Sequence, residues 1–183
     1  IDTMRRPALT LLLLGALSAG VTACDEESRV VTMRIDHYQE PCWGMQPGFC
    51  LRVIDTEAGD SEVGPVDEIV GFEHHWGVVS DVVVMVTESE VDGTTAYDLI
   101  EVVSEQDVAP DALFEMRLGP EFVERVDSRS FELVSNKPVI CHSDEVCRSV
   151  SEAMFDGLDF NVELGYPTTR GGAFIAYGVE LLD

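Results

Sequence analysis

Residues 11–24, LLLLGALSAGVTAC, form an apolar segment that determines in which compartment the rest of the chain folds. The segment follows Met4, Arg5 and Arg6, so a basic start, an apolar run and small residues succeed one another, which is the order of a secretory signal. The run is too short to span a bilayer, and acidic residues follow it directly. We therefore expect residues 4–23 to be a signal peptide that directs export.

Cys24 ends this segment in the sequence VTAC, which resembles the bacterial lipobox. In that motif the cysteine is lipidated on its thiol and becomes the new N-terminus after cleavage. We expect a lipid on Cys24 and a tether over residues 24–29. The membrane partner would then be bound through the lipid, and the globular part would lie in the cell envelope, in the periplasm or at the cell surface. Anchoring in the inner or the outer membrane stays open.

The other cysteines, Cys42, Cys50, Cys141 and Cys147, are even in number, as disulfide bonding in an oxidising compartment requires. Of the three pairings, the sequence favours Cys42 with Cys50 and Cys141 with Cys147, because each would close a short loop. A four-ligand zinc site is the alternative. It is disfavoured because neither pair has the two-to-four-residue spacing of zinc ligands and because export favours oxidation.

The charge balance excludes one class of partner. The chain has 35 acidic and 11 basic residues, a formal net charge of -24, and Lys137 is its single lysine. A field of that sign repels phosphate backbones, so we expect no nucleic-acid binding. A solvated acidic surface or salt adaptation accounts for the charge. The more specific alternative is that the charge binds a cationic partner, such as a basic peptide or calcium.

Alternating apolar residues predict strands through residues 30–118. Val31, Met33 and Ile35 alternate with polar residues, with His37 and Tyr38 closing that strand. A second strand is expected near residues 49–53, after a turn-rich loop between the first two cysteines. Residues 55–67 are expected to be a surface loop. The run VVVMV at residues 82–86 predicts a central strand covered on both faces, and the Asp-Gly step at residues 92–93 predicts a hairpin.

Residues 119–183 are expected to extend this β domain, with the boundary at Gly119 and Pro120. Ser143 is a suitable N-cap for an amphipathic helix near residues 144–155, and Gly157 would end the helix. A weak strand is predicted at Phe122 and Val123, and further strands near residues 131–134, 160–164 and 173–182. The sequence therefore predicts a mainly β (α+β) protein, an antiparallel sheet arranged as a sandwich or barrel-like structure, with one helix.

No catalytic signature is present, whether a nucleophile elbow, a zinc-binding HExxH or a phosphate-binding glycine loop, and we expect neither enzymatic activity nor a cofactor. The alternative is an envelope hydrolase or metal-dependent protein that uses His74, His75 and nearby carboxylates. Neighbouring side chains on a strand point to opposite faces, so the two imidazoles are weak candidates for one metal ion. We therefore predict no metal site, and a structural role for Phe72 and Trp76.

The segment between Cys42 and Cys50 also carries Trp43, Met45 and Phe49, an apolar cluster on a constrained loop. Such a cluster suggests a contact surface. We therefore expect a non-catalytic module that binds a protein or peptide of the envelope at this loop or at a sheet edge. A purely structural or stress-related envelope stabiliser is the further alternative.

Several segments resemble a known family. They are IDHY at residues 35–38, CLRV at residues 50–53, Gly71-Phe72-Glu73, and YDLIEVVS at residues 97–104. Together with Cys42, Gly77 and the valine ladder, they are similar to bacterial lipoproteins with domain of unknown function 4377, over roughly residues 30 to 118. Val79 and Val82 stand where that family usually has aromatic residues. The resemblance implies an exported, mostly β domain, sometimes linked to a META-type domain, and it implies no catalytic residues.

Overall fold

The computed structural model describes residues 27–182 except 45, 60, 90, 168, 170 and 171. Over these residues the fold is mainly β, with two sheets and one α-helix, which confirms the predicted fold class. The described α-helix is too short and too polar to cross a bilayer. Residues 4–23, which we expect to be a signal peptide, lie outside the described residues, as do Cys24 and Met45.

The first sheet has five antiparallel strands in the order β3-β2-β1-β4-β5. They are β1 (Glu27–Trp43), β2 (Pro47–Asp55), β3 (Ser61–Val66), β4 (Val78–Glu88) and β5 (Thr95–Asp107). The predicted alternation is confirmed, since every second residue is buried from Val31 to Ile35 of β1 and from Val82 to Val86 of β4. Those core residues are Val31, Met33, Ile35, Val82, Val84 and Val86.

Four expectations for this half were wrong in detail. The first strand does not close at Tyr38 but continues to Trp43, because backbone pairs with β2 extend to Trp43 and Pro47. The region between Cys42 and Cys50 is therefore a hairpin end and not a loop.

Residues 61–66, expected in a loop, form the edge strand β3, where Pro65 is tolerated. The strand β4 is covered on one face only, because Met85 on its other face is exposed.

The second sheet has six strands in the order β6-β10-β11-β9-β8-β7. They are β6 (Leu113–Leu118), β7 (Val123–Arg125), β8 (Ser130–Leu133), β9 (Lys137–Cys141), β10 (Phe160–Gly165) and β11 (Phe174–Leu181). All neighbours are antiparallel except β9 and β11, which run parallel. Of the weak strand expected at Phe122 and Val123, Val123 begins β7, whereas Phe122 ends a 3-10 turn over Pro120–Phe122. The second sheet begins with β6 at Leu113, six residues before the boundary expected at Gly119.

The helix α1 (Asp144–Asp156) confirms the predicted helix and both of its ends. The Ser143 hydroxyl accepts a hydrogen bond from the amide of Val146 at 3.3 Å, which satisfies one of the free amides of the first turn. Gly157 adopts the left-handed conformation (φ 69°) that ends helices. Val146, Val150 and Ala153 bury one face of α1 against the second core.

Aromatic side chains join the two sheets. Tyr38, Phe49 and Trp76 come from the first half of the chain and pack against the buried core of the second sheet. Tyr38 stacks on Phe114 of β6 with ring centroids 4.9 Å apart, and Trp76 lies 5.0 Å from Phe174 of β11. Such aromatic pairs contribute more than their buried area alone, about 0.5–1.5 kcal/mol each. These contacts place the end of the β1–β2 hairpin beside β6.

Candidate functional site

A cleft of about 290 Å³ lies where the β1–β2 hairpin meets β6 and the turn after it. One wall comes from the end of β1, through Tyr38, Glu40 and Trp43. The opposite wall comes from alternate residues of β6 and from the 3-10 turn, through Glu115, Arg117, Glu121 and Phe122. The cleft is therefore built where the end of the β1–β2 hairpin of the first sheet meets the edge strand β6 of the second.

Trp43 is the exposed apolar residue of this cleft, with 66% of its surface accessible. Its indole meets buried Phe122 edge to face, with ring centroids 5.4 Å apart. The position of Trp43 at the end of β1 holds the ring beside Phe122 while much of it stays in water. Among the three residues expected to form a contact loop, Trp43 is the one that reaches solvent most clearly, and Met45 lies outside the described residues.

Phe49 has a different environment from the one expected. It is half-buried and lies 5.8 Å from Trp76 and 6.4 Å from Phe122, ring centre to ring centre. Its cross-strand partner is Pro41, so it is part of the hairpin ladder. Phe49 therefore supports the cleft from beneath and contributes to the junction of the two sheets.

The charges in the cleft are mostly negative. Arg117 is neutralised by Asp159, with an Nη2 to Oδ2 distance of 2.7 Å. Glu115 and Glu121 line the cleft and have no ion pair with any residue in the described part of the chain. The cleft therefore combines an exposed indole with uncompensated carboxylates, which is the chemistry that attracts a cation.

Arg52 holds a half-buried polar network directly behind the cleft. Its guanidinium lies 3.2 Å from Asp36, 3.6 Å from Glu40 and 3.4 Å from Glu62, and its Nη1 donates a hydrogen bond to the Tyr38 hydroxyl. The same guanidinium sits over the Tyr38 ring, 4.8 Å from its centroid. Burial raises the pKa of Glu40, an effect that Arg52 opposes. The network fixes two cleft residues, Tyr38 and Glu40.

His37 and Tyr166 form a second polar contact across the sheets. The Tyr166 hydroxyl is hydrogen-bonded to Nδ1 of His37 and lies 3.3 Å from the His37 carbonyl oxygen. Burial raises the pKa of Tyr166, so its hydroxyl stays protonated and remains a hydrogen-bond donor. Burial lowers the pKa of His37, while Asp36 works in the opposite direction. This contact ties β1 to the end of β10.

His74 and His75 do not lie on a strand, so the alternation used to disfavour a shared metal does not apply to them. Nε2 of His74 is 3.0 Å from the backbone carbonyl of Asp36, and its Nδ1 is buried without a partner among the described residues. His75 lines a separate cleft of about 830 Å³ together with Trp76 and Tyr166. In the described ranges, no group of three potential metal ligands includes either histidine.

Phe72 packs against the first core and Trp76 against the second, as their expected structural role requires.

Both disulfides are present in the expected pairing, Cys42 with Cys50 and Cys141 with Cys147. Asp67 approaches the first pair, and these three residues are the one cluster of the described chain whose spacing would suit a metal. Because both sulfurs are consumed in the disulfide, they offer no thiolate to a metal ion. The first disulfide instead fastens the hairpin end that carries Trp43.

The comparisons with known proteins add no relative. No family model, curated protein or solved structure matches the chain. The site is therefore interpreted from its own geometry.

Sequence reasoning identified Trp43 but missed Phe122, Arg52 and Tyr166. The local pattern predicts Phe122 only as part of a weak strand, because its burial depends on the 3-10 turn that the chain forms there. Two signals could have pointed to Arg52: the chain has few basic residues, and Arg52 lies between the buried strand residues Leu51 and Val53. Nothing local in the sequence points to Tyr166, whose role depends on a contact across 129 residues.

Proposed function

We propose that this chain is an exported, lipid-anchored module of the bacterial cell envelope that binds a cationic peptide segment and catalyses no reaction. The anchor would be the lipid on Cys24, and the two disulfides are consistent with an oxidising compartment. The resemblance of residues 30–118 to lipoproteins with domain of unknown function 4377 would imply the same location. The binding site is the cleft between Trp43 and β6.

The observation that carries this proposal is the exposed indole of Trp43 beside carboxylates that lack a counter-ion. A tryptophan anchored on a rigid strand end is the residue type that most often dominates the energy of a protein contact. Its face attracts a lysine or arginine side chain by a cation–π interaction of about 0.5–2 kcal/mol. The carboxylates of Glu115 and Glu121 attract the same basic side chain electrostatically. Phe122 offers an apolar surface on which a neighbouring side chain of the peptide can pack.

The overall charge of -24 supports the same class of partner, because it accelerates encounter with a cation and repels an anionic competitor. The occupant we propose is therefore a segment of alternating basic and apolar residues. An acidic segment of the same length would be rejected.

Calorimetric titration of the folded chain (residues 25–183) with a peptide of alternating arginine and leucine tests the proposal. We expect saturable binding that weakens as salt is raised from ~0.02 to ~0.15 M, and no binding of a glutamate-leucine peptide. Trp43→Ser should weaken binding at least about tenfold, since loss of an anchoring aromatic costs ~1.4 kcal/mol or more.

Phe155→Ser is the matched control, because Phe155 on α1 is 91% exposed and lies outside the cleft. Equal weakening by both substitutions, or equal binding of the acidic and basic peptides, would refute the cleft as a cation-binding site. Loss of the envelope location on Cys24→Ser tests the anchor separately, by fractionation of the cells.

A further inference from the structure

A second concavity, of about 530 Å³, collects arginine side chains on the side of the second sheet where β7, β8 and α1 meet. Arg125 ends β7, Arg129 lies in the turn between β7 and β8, and Arg148 projects from the first half of α1. All three arginines are exposed. This gathering is unusual in a chain with 35 acidic and 11 basic residues.

Arginines elsewhere in the described chain are neutralised by carboxylates. Arg29, Arg34, Arg52 and Arg117 each lie within 4.0 Å of an aspartate or glutamate oxygen. Of the three arginines in the concavity, only Arg129 has such a partner, whereas Arg125 and Arg148 have no carboxylate oxygen within 4.0 Å among the described residues.

Arg148 has no hydrogen bond or ion pair with any residue that the structure describes. Arg125 donates from Nε to the backbone carbonyl of Asp127 at 3.0 Å, which uses a donor without cancelling the charge. Arg129 has one carboxylate partner, Asp144, at 3.7 Å, and both groups are largely exposed to water. The carboxylate of Asp127 is also near, accepting the backbone amide of Arg129 at 2.7 Å. The lining of the concavity itself therefore contains three guanidinium groups and one carboxylate.

The wall that carries Arg148 is held in place covalently. Cys147 lines the concavity next to Arg148 and is bonded to Cys141 at the end of β9. Ser151, one turn further along, donates its hydroxyl to the carbonyl of Cys147 at 2.7 Å. The first half of α1 therefore presents Arg148 from a fixed backbone, with the positive end of the helix dipole on the same side.

We propose that this concavity binds a phosphate group. Guanidinium groups present paired N–H donors whose spacing matches the oxygens of a phosphate, and two or three of them around one anion are a recurring phosphate site. The concavity is larger than one phosphate, so the group can carry a substituent. A soluble phosphoryl compound and the headgroup of a phospholipid share this chemistry. The site is separate from the cleft at Trp43, and neither proposal depends on the other.

The test is a titration of the folded chain with inorganic phosphate, followed by ¹⁵N–¹H NMR at constant ionic strength, with chloride as the reference anion. We expect saturable shifts of the Nε–H signals of Arg125, Arg129 and Arg148 with phosphate and none with chloride. Arg148→Gln combined with Arg125→Gln should weaken phosphate binding at least about tenfold. Arg29→Gln, which removes an arginine paired to Glu88 and lies outside both cavities, is the control and should leave the affinity unchanged.

Flotation with vesicles of phosphatidylglycerol, compared with vesicles of phosphatidylcholine, separates the two sources of phosphate. Binding of inorganic phosphate together with capture on phosphatidylglycerol vesicles that is lost in the Arg125/Arg148 variant assigns the site to a lipid headgroup. Binding of phosphate without capture assigns it to a soluble phosphoryl compound. Shifts that are equal for chloride and phosphate, or an affinity that is unchanged in the Arg125/Arg148 variant, would overturn the proposal.

Discussion

His37 and Tyr166 are hydrogen-bonded side chain to side chain although 129 residues separate them in the sequence. Their rings meet at 69°, with centroids 5.7 Å apart, so the contact is both polar and aromatic. His37 belongs to β1 of the first sheet, and Tyr166 directly follows β10 of the second. This pair is a clasp between the two halves of the molecule, close to the wall that supports the Trp43 cleft.

Removing the hydroxyl of this clasp should destabilise the fold. Tyr166→Phe leaves the ring in place but deprives His37 of its hydrogen-bond partner, which costs about 1–2 kcal/mol for a partly buried group. Urea denaturation of the folded chain measures this change in the free energy of unfolding. Tyr177→Phe, on an exposed tyrosine of β11, is the control and should change stability by less than about 0.5 kcal/mol. Equal effects of the two substitutions would show that the clasp contributes no stability.

Replacing Arg52 should be far more harmful than replacing Arg117. Arg52→Leu leaves the half-buried carboxylates of Asp36, Glu40 and Glu62 without their counter-ion. We expect the free energy of unfolding to fall by about 1–3 kcal/mol. This is less than for a fully buried ion pair, because water partly solvates the group. Arg117→Leu breaks an exposed pair and should cost less than about 1 kcal/mol.

The two variants should be compared by thermal and urea unfolding. Protonating the carboxylates should restore part of the stability that Arg52→Leu loses. A loss that is no larger than that of Arg117→Leu, or one that does not diminish in acid, would contradict the role assigned to the network.

The buried histidines should make the fold sensitive to mild acid. Burial lowers the pKa of His74 and of His37 below the ordinary value of 6.5, so the unfolded chain binds protons more readily than the folded one. The stabilisation they give is therefore present above pH 6.5 and is lost as the pH falls through their folded-state pKa values.

We expect the free energy of unfolding, measured by urea denaturation, to decrease as the pH is lowered from ~8 to ~5. His74→Gln should flatten this dependence, whereas His142→Gln, at an exposed position, should leave its slope unchanged. A slope that His74→Gln does not alter would show that His74 is not responsible.

The Cys141–Cys147 disulfide should stabilise the second sheet by reducing the conformational entropy of the unfolded chain. It closes a loop of sequence separation 6, and the loop-entropy relation gives about 2–3 kcal/mol. The double variant Cys141→Ser, Cys147→Ser should lose that amount in urea denaturation, with the intact Cys42–Cys50 pair as an internal reference. An unchanged midpoint would show that the native contacts of α1 and β9 already restrict the loop.

The sequence predicted those parts of the fold that depend on local pattern. Alternating residues around Val31 and Phe160 gave the strands, and the caps Ser143 and Gly157 gave the helix within one residue of its end. The edge strand at residues 61–66 was missed because its sequence, SEVGPV, has turn-forming residues and its pairing with β2 is decided by the partner strand. The sheet to which Phe114 belongs could not be predicted either, because alternating apolar residues predict a strand but not which strand pairs with it.

The candidate site was predicted only in part, for the same reason. Trp43 could be singled out because a disulfide-closed segment with an aromatic residue is a local signal. Its neighbours Phe122 and Glu115 come from residues far along the chain, and their approach to Trp43 depends on how the two sheets pack. Phe49 was assigned to the surface because its pairing with Pro41 was not visible in the sequence.

The most direct test of the central claim uses ¹⁹F NMR of the folded chain labelled with 5-fluorotryptophan. The chain has two tryptophans, exposed Trp43 in the cleft and half-buried Trp76 in the junction of the sheets, so each sample contains its own control. Addition of the arginine-leucine peptide should shift the Trp43 signal progressively to saturation and leave the Trp76 signal in place. A Trp43 signal that does not move at peptide concentrations that saturate binding, or that moves equally with the glutamate-leucine peptide, would contradict a cation-binding cleft at the end of the β1–β2 hairpin.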